Sequence, residues 1–431
     1  MTKALIITYY WPPAGGPGVQ RWLKFSKYLL ENDIQPIVLT VDPEFGTYPI
    51  IDESLEKEVP QEIKVYRTET RELFGAYKKA TNRNEIPYSG FASEEKQPGF
   101  KEKLARFIRG NFFYPDPRRA WKRFAVVKAR EIIASDNVSI IITTGPPHST
   151  HLIGLQLKKQ LGVAWIADFR DPWTDIYYYN DFYPTAWVRR KERSLESKVL
   201  NTADKITTAS PGFGKMLAGK VSDPKKIWPI TNGYDEEDLP TTKTIGSSEK
   251  VQITYSGTLT EKYPLHTFVD GLKKLNKADQ ENICFNLVGK ADNYAKNLLS
   301  ASEIHFEINF RGYVSHSEVM GILAASDFLL LLIPTLKGNE GIIPAKLFEY
   351  IGSGKQIIGV GPLQSDAANI VDENSFGQFF DVDDAEGLNL WIRQKLTKPI
   401  TAANATSGKR EKYSRRYLTA RLAGLIKDLV S

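Results

Sequence analysis

Cysteine is nearly absent: Cys284 is the one such residue among 431. A single cysteine excludes an intramolecular disulfide framework and any cysteine-based metal cluster. It lies in the apolar run ICFNLVG, where its simplest role is that of a small buried core residue. Long apolar runs are also missing. The longest strongly apolar one, Phe328 to Ile333, is far too short to span a bilayer. The opening MTKALIITYYWPP lacks the apolar core and small-residue cleavage site of a signal peptide. Together with the lone cysteine, this makes a cytoplasmic chain the expectation, soluble or peripherally attached. No short repeat and no low-complexity tract is present. No group of His, Asp and Glu has metal-ligand spacing, so neither metal nor cofactor is expected. Asp381 and Asp383 resemble a metal-binding carboxylate pair, but they precede a helix beginning near Ala385. Capping by Asp383 or Asp384 explains them better.

What is present is an ordinary globular composition, 42% hydrophobic and 25% charged, at a length that favours two domains. The net charge of +6 is unevenly placed. From Lys101 to Arg130 the sequence KEKLARFIRGNFFYPDPRRAWKRFAVVKAR interleaves cations with aromatic rings and has few acids. That mixture suits an anionic membrane surface. Nucleic acid would also attract it, but no recognition motif accompanies the charge, and no nucleic-acid partner is expected. A solvated basic face is the alternative.

The first half alternates apolar strands with helical patterns. Ala4–Thr8, Pro36–Val41, Ser139–Thr144, Val163–Ala167, Lys205–Ala209 and Ile227–Thr231 read as strands. Helices are expected at Val19–Glu31, His151–Leu161 and Thr185–Leu200. Such alternation argues for a parallel sheet covered on both faces. Asn82–Gly99 is polar, with Gly and Pro, and reads as a long excursion from this sheet, and Asp235–Lys250 reads as a linker. The pattern then restarts, with strands at Gln252–Ser256, Ile283–Val288, Ile308–Arg311, Phe328–Ile333 and Gln356–Val360. An amphipathic helix at Lys409–Leu429 closes the chain.

Five loops carry candidate chemistry. In YYWPPAGGPGVQRW, Gly15, Gly16 and Gly18 let backbone approach a ligand at a helix N-terminus, where a phosphate or sugar contact is at home. A structural tight turn is the alternative. The loop fails the dinucleotide fingerprint, since Arg21 stands where a third glycine belongs and Pro17 intrudes, and it lacks the Lys-Ser/Thr ending of a P-loop. In TTGPPHST, His148 is an acceptor contact, a base or simply a structural histidine. In WIADFRDPWTD, Asp168, Arg170 and Asp171 leave the carboxyl end of a buried strand, where open α/β sheets bind ligands. An internal Asp–Arg salt bridge shaping that loop is the competing reading. In YSGTLTEKYPL, Gly257 and Thr258 offer N–H and hydroxyl groups, and Lys262 can reach a phosphate. RGYVSHSEVMGIL has a turn at Val314 able to read a base edge.

The most informative stretch is EGIIPAKLFEYIGSGKQIIGVG, Glu340 to Gly361. Lys346 and Glu349 share one face of a short helix near its N-terminus. Phosphate suits that helix start, and a carboxylate beside it suits a vicinal diol such as ribose. The bland alternative is an amphipathic helix with both side chains solvated.

The order of these motifs resembles bacterial glycosyltransferases of the GT-B fold, specifically the large retaining family four. The motifs are PPHSTHLIG, ADFRDPW, TNGYD, SGTL, RGYV and IPAKLFEYIGSGK, after a glycine-rich loop. The resemblance covers nearly the whole chain and is weakest from Tyr66 to Lys122. It implies two Rossmann-like domains with parallel sheets facing a cleft: 1–235 for the acceptor, 236–408 for the nucleotide sugar, and 409–431 as a helix packing back on the first. It implies that Glu349 binds the ribose hydroxyls, and that Lys262 and the backbone at Ile343, Pro344 and Ala345 face diphosphate and sugar. Val314 would contact the base, Gly16 the donor phosphate, and ADFRDPW would line the reaction centre. The activity implied is metal-independent transfer from a nucleoside-diphosphate sugar to a lipid-linked or polysaccharide acceptor. A nucleotide-sugar 2-epimerase or a non-catalytic binding subunit shares the fold. Three positions depart from the family: Gly341 stands where a first glutamate is usual, with Glu340 one residue out of register. Thr258 replaces a phosphate-binding arginine, and Arg170 replaces a histidine at the reaction centre.

Overall fold

The computed structural model describes residues 1–71, 99–240, 249–301, 303–336, 338, 340–397 and 407–431. The polar excursion expected at Asn82–Gly99 lies outside the described residues apart from Gly99, as does 241–248 of the expected linker. The chain divides into two compact units, one of Met1–Thr231 with Thr419–Ser431 and one of Asn232–Leu418.

The first unit is built on a seven-stranded parallel sheet in the order β3-β2-β1-β4-β5-β6-β7. Its strands are β1 (Thr2–Ile7), β2 (Ile34–Val41), β3 (Lys64–Thr68), β4 (Ile140–Gly145), β5 (Ala164–Phe169), β6 (Lys205–Thr208) and β7 (Ile227–Pro229). The six residues of β4 are all buried, as a strand covered on both faces must be. Pro36 sits inside β2 without disrupting it. It pairs with Ala4 of β1, while the β3 ladder begins one residue later at Ile37, so no partner on that side needs its missing N–H.

The second unit has six parallel strands in the order β10-β9-β8-β11-β12-β13. They are β8 (Val251–Ser256), β9 (Ile283–Val288), β10 (Glu307–Gly312), β11 (Phe328–Leu332), β12 (Gln356–Val360) and β13 (Gly377–Phe380). The apolar run that starts β11 feeds both faces of this sheet. Phe328, Leu330 and Leu332 enter one core with Phe268 and Phe285, and Leu329, Leu331 and Ile333 enter another with Phe348 and Tyr350. Burying each such side chain contributes about 2 kcal/mol.

In both units strand order reverses at one point, between β1 and β4 in the first and between β8 and β11 in the second. The crevice outside the carboxyl ends of the strands at such a reversal is where open α/β sheets hold ligands. One detail differs from expectation at the sequence level: the C-terminal helix is broken into Ser407–Glu411 and Arg415–Val430. Of the two expected capping candidates, Asp384 caps the Ala385–Leu396 helix, accepting from Gly387 N at 2.8 Å, so this aspartate run is a helix start.

Candidate functional site

In the second unit the reversal point is framed by the loop after β8 and the loop that leads into the Ala345–Ser353 helix. The backbone leaves β8 through Gly257 at φ +112, a region closed to most L-residues. The β9 loop leaves through Gly289, at φ +128, whose missing Cβ would lie 2.3 Å from the Gly257 carbonyl. Gly257 N donates to Val288 O and Gly289 N to Gly312 O, both at 2.7 Å, so three glycines at successive strand ends make a floor without side chains. Tyr255 Oη donates to Thr258 O at 2.9 Å and pins the loop beside it.

Lys346 reaches into this floor from the first turn of the opposite helix. Its Nζ lies 4.0 Å from the centroid of the Tyr255 ring and 3.0 Å from where a Gly257 side chain would begin. Burial pushes the Lys346 ammonium down to about 7, and the nearby Glu349 charge only partly opposes this. Burial likewise raises the Glu349 carboxyl, against the charges of His316 and Lys346, while Asp238 adds to the rise. Among the described residues neither side chain has a hydrogen bond or an ion pair within 4.0 Å. The helix itself has Pro344 at its start, no side-chain cap and no acid in its first turn. A half-buried cation, an unpaired carboxyl and an uncapped helix N-terminus are thus gathered at one strand reversal. That set suits a diphosphate joined to a sugar diol.

Tyr350 holds the helix there. Its hydroxyl accepts from Ser256 N at 3.0 Å and donates to Leu330 O at 3.3 Å, tying the helix to β8 and β11. Sequence reasoning passed over Tyr350, although it stands next to Glu349 in KLFEY. Of the other expected donor contacts, Ile343, Pro344 and Ala345 line the approach to the helix. Thr258 and Lys262 are exposed in the β8 loop, and Val314 precedes the capping box of Ser315 and Glu318. Glu340 is exposed, and its carbonyl accepts from Asp366 N at 2.9 Å.

In the first unit, Gly16 caps the Pro17–Leu30 helix at φ 99 with no side chain to bond its N–H groups. Gly18 faces Arg170: a methyl group there would lie 2.2 Å from Arg170 Nη1. The Arg170 guanidinium also donates to Gly145 O at 3.2 Å and to Pro146 O. The glycine loop and ADFRDPW therefore meet around this guanidinium. Asp171, beside it, is half-buried with no hydrogen bond among the described residues. Burial raises the Asp171 carboxyl, and the Arg170 charge opposes the rise.

Asp168 needs correction. It is fully buried and accepts from Arg21 Nε and Nη2, Trp22 Nε1, Thr144 Oγ1 and Thr207 Oγ1 at 2.8 to 3.2 Å. A carboxylate with five donors has no lone pair for a substrate, so it is a structural keystone and not a catalytic group. The internal salt bridge foreseen at this loop exists, but its arginine is Arg21, 147 residues away in sequence.

His148 stacks on Trp173 with centroids 5.1 Å apart, and its Nδ1 is buried without a hydrogen bond. Burial, with the charges of His151 and Arg170, drives its pKa well below the ordinary value. His151 lies beneath, stacked on Phe169 at 4.3 Å and bonded through Nδ1 to Thr143 Oγ1 at 2.9 Å. Burial lowers its pKa to about 3. A neutral imidazole at His148 can accept a hydrogen bond from an acceptor hydroxyl.

No family model matches the chain, and no curated protein matches its sequence. Solved structures do. Anabaena HepE in complex with UDP superposes with a TM-score of 0.64 at 12% identity, covering 99% of this chain and 100% of that one. TarM gives 0.63 at 11% identity over 100% and 99%. Sucrose-phosphate synthase from Thermosynechococcus elongatus gives 0.61 at 13% identity over 100% and 99%. Identities this low establish architecture alone: the chain has the GT-B fold of these glycosyltransferases.

Proposed function

We propose that the protein is a retaining glycosyltransferase of the family-four type, moving a sugar from a nucleoside diphosphate to a lipid-linked or polysaccharide acceptor in cell-surface glycan synthesis. The observation that carries this reading is the unpaired Lys346 and Glu349 beside Gly257 at the uncapped helix start. Glu349 takes the ribose hydroxyls, and Lys346 and Lys262 take the diphosphate. Val314 meets the base, and the backbone at Ile343–Ala345 meets the sugar. The HepE structures with UDP and with UDP-glucose support a uridine-type donor by analogy.

In this reading the bond from the anomeric carbon to the diphosphate oxygen breaks and its electron pair leaves with the diphosphate. The cationic side chains stabilise that charge without a metal. The acceptor oxygen bonds to the anomeric carbon on the same face, and its proton passes to a diphosphate oxygen. Arg170 and Asp171 flank the oxocarbenium-like centre, His148 orients the acceptor hydroxyl, Gly16 admits the donor phosphate closely, and Gly18 leaves room for the Arg170 guanidinium. Acceptors of this class lie at a membrane, and Lys101–Arg130 is the segment whose composition fits an anionic surface. No helix among the described residues is long and apolar enough to cross one.

The test is a thermal-shift panel of nucleotide sugars followed by NMR of the transferred product. One donor should raise the melting temperature and give a product with the donor's anomeric configuration. A panel without any shift would remove the donor site. Turnover of donor without acceptor would instead favour the 2-epimerase.

A further inference from the structure

Two carboxylates are buried one turn apart on the Ala186–Thr202 helix, Glu192 at 4% exposure and Glu196 at 1%. Burial of an acid is unfavourable unless a partner offsets it. Glu196 has such a partner. It accepts from Lys220 Nζ at 2.8 Å and from Thr174 Oγ1 at 2.6 Å, an ion pair closed by a hydrogen bond. Glu192 has no cation within 4.0 Å among the described residues. Its partners are two aromatic side chains from the loop after β5. Trp173 Nε1 donates to Oε1 at a long 3.4 Å, and Tyr179 Oη donates to Oε2. Burial raises the Glu192 carboxyl, the two hydrogen bonds oppose the rise, and the charges of Asp116 and Glu196 add to it. A carboxylate held this way costs stability, and what it supplies in return is a pair of fixed acceptors for that loop.

Both of its donors stand beside residues of the reaction centre. Trp173 follows Asp171 by two positions, and its indole lies parallel to the His148 imidazole, with 3° between planes and 5.1 Å between centroids. A stacked indole is free to turn within its own plane, and a hydrogen bond at Nε1 removes that freedom. Pro172, next to it, contributes a backbone hydrogen bond to the same imidazole. One two-residue piece of the loop therefore holds the His148 ring. At the other end of the loop, Tyr178 precedes Tyr179, and burial and then the Asp171 charge raise its hydroxyl. Glu192 thus ties together both ends of Trp173–Tyr179, with His148 stacked on one and Asp171 near the other.

We infer that Glu192 is a positioning residue: through the Trp173 indole it sets the plane of the His148 imidazole for the incoming acceptor. The inference rests on the transferase reading of His148. It adds a residue that touches neither substrate and that stability alone does not account for.

The experiment reads the His148 imidazole by NMR in full-length protein with ring-labelled histidine, the signal being assigned with His148→Gln. Glu192→Leu removes both acceptor oxygens. Glu192→Gln keeps one for the indole, while the Tyr179 hydroxyl turns to accept from the new amide. Circular dichroism and melting temperature establish that each variant folds. Glu192→Leu should shift the His148 signal and lower kcat for transfer roughly ten- to a hundredfold, with UDP affinity unchanged. Glu192→Gln should restore most of both. Trp173→Phe should lose a similar factor, and adding Glu192→Leu to it should lose no more, because the two act in series. If Glu192→Leu does not fold, Trp173→Phe alone carries the same two readouts. Glu196→Gln weakens the neighbouring ion pair without touching Trp173, and should leave the His148 signal in place. The same shift and the same loss in Glu196→Gln would make the loop a structural latch and overturn the role. Lost transfer with an unmoved His148 signal would also overturn it, leaving the transferase reading intact. Wild-type protein that transfers no sugar would overturn that reading and the positioning role with it.

Discussion

At the scale of single residues, a buried charge and a half-buried one behave in opposite ways. Asp168 is saturated by five donors, so removing it strands the Arg21 guanidinium, which is 1% exposed. Asp168→Ala should cost about 3–5 kcal/mol in urea unfolding, as loss of one partner of a buried pair does. Lys346 is the reverse, a half-buried cation without a carboxylate in contact. Its folded pKa of about 7 lies below the 10.5 of an unperturbed lysine. Between those values the unfolded chain holds a proton that the folded chain has released, so stability rises with pH across the window. Lys346→Met should therefore melt above wild type at pH 7 and below, with the gap narrowing as pH approaches 10.5. A gap that does not vary with pH would show that the ammonium carries no burial penalty. The same logic gives ligand binding its sign. UDP affinity for the wild type should fall as pH rises through about 7, and calorimetry against pH reads it.

At the scale of elements, the Ala345–Ser353 helix and the loop after β8 work as a pair. Tyr350 fixes where the helix starts, and Gly257 leaves the space that Lys346 fills. Tyr350→Phe leaves Ser256 N without its acceptor and should cost about 1–3 kcal/mol of stability, measured by denaturant unfolding. Gly257→Ala faces both a positive φ and the Lys346 amine at 3.0 Å, so it should weaken UDP binding far more than it lowers the melting temperature. Unchanged UDP affinity in that variant would separate the loop from the site.

The elements also show what the sequence made legible. Central strands such as β4 and β11 are continuous apolar runs, because a parallel strand covered on both faces must be. Two edge strands went unread: β3, KVYRT, is exposed or half-exposed along its length and leaves no apolar signature, and β13, GQFF, is only four residues with two of them buried. Lys346 and Glu349 were readable because helical spacing places them on one face. Asp168 was misread for the opposite reason. A buried ion pair across 147 residues leaves no local trace, and a charge-rich loop looks the same whether its carboxylate faces a substrate or an arginine. Tyr350 and the glycine floor depend on tertiary contacts between strand ends, which spacing along the chain does not encode.

At the scale of the molecule, each unit is a doubly wound sheet with its strand order reversing once, and each carries its candidate residues at that reversal. The chemistry is divided between them. The second unit offers a cation, an unpaired carboxyl and a bare helix start, and the first offers a guanidinium, a second unpaired carboxyl and a neutral imidazole. Hydrogen exchange should report this division directly: UDP alone should protect the amides of Gly257–Leu259, Gly289 and Ala345–Leu347, and leave the β4 and β5 amides of the first unit unchanged. Binding of the nucleotide to the second unit by way of Glu349 is the claim on which the rest depends. Calorimetric titration of UDP into wild-type protein and Glu349→Ala tests it most directly. Expected is saturable binding to wild type and at least a tenfold loss in the variant, about 1.4 kcal/mol, with melting temperature unchanged. Equal affinity in the two proteins would contradict it.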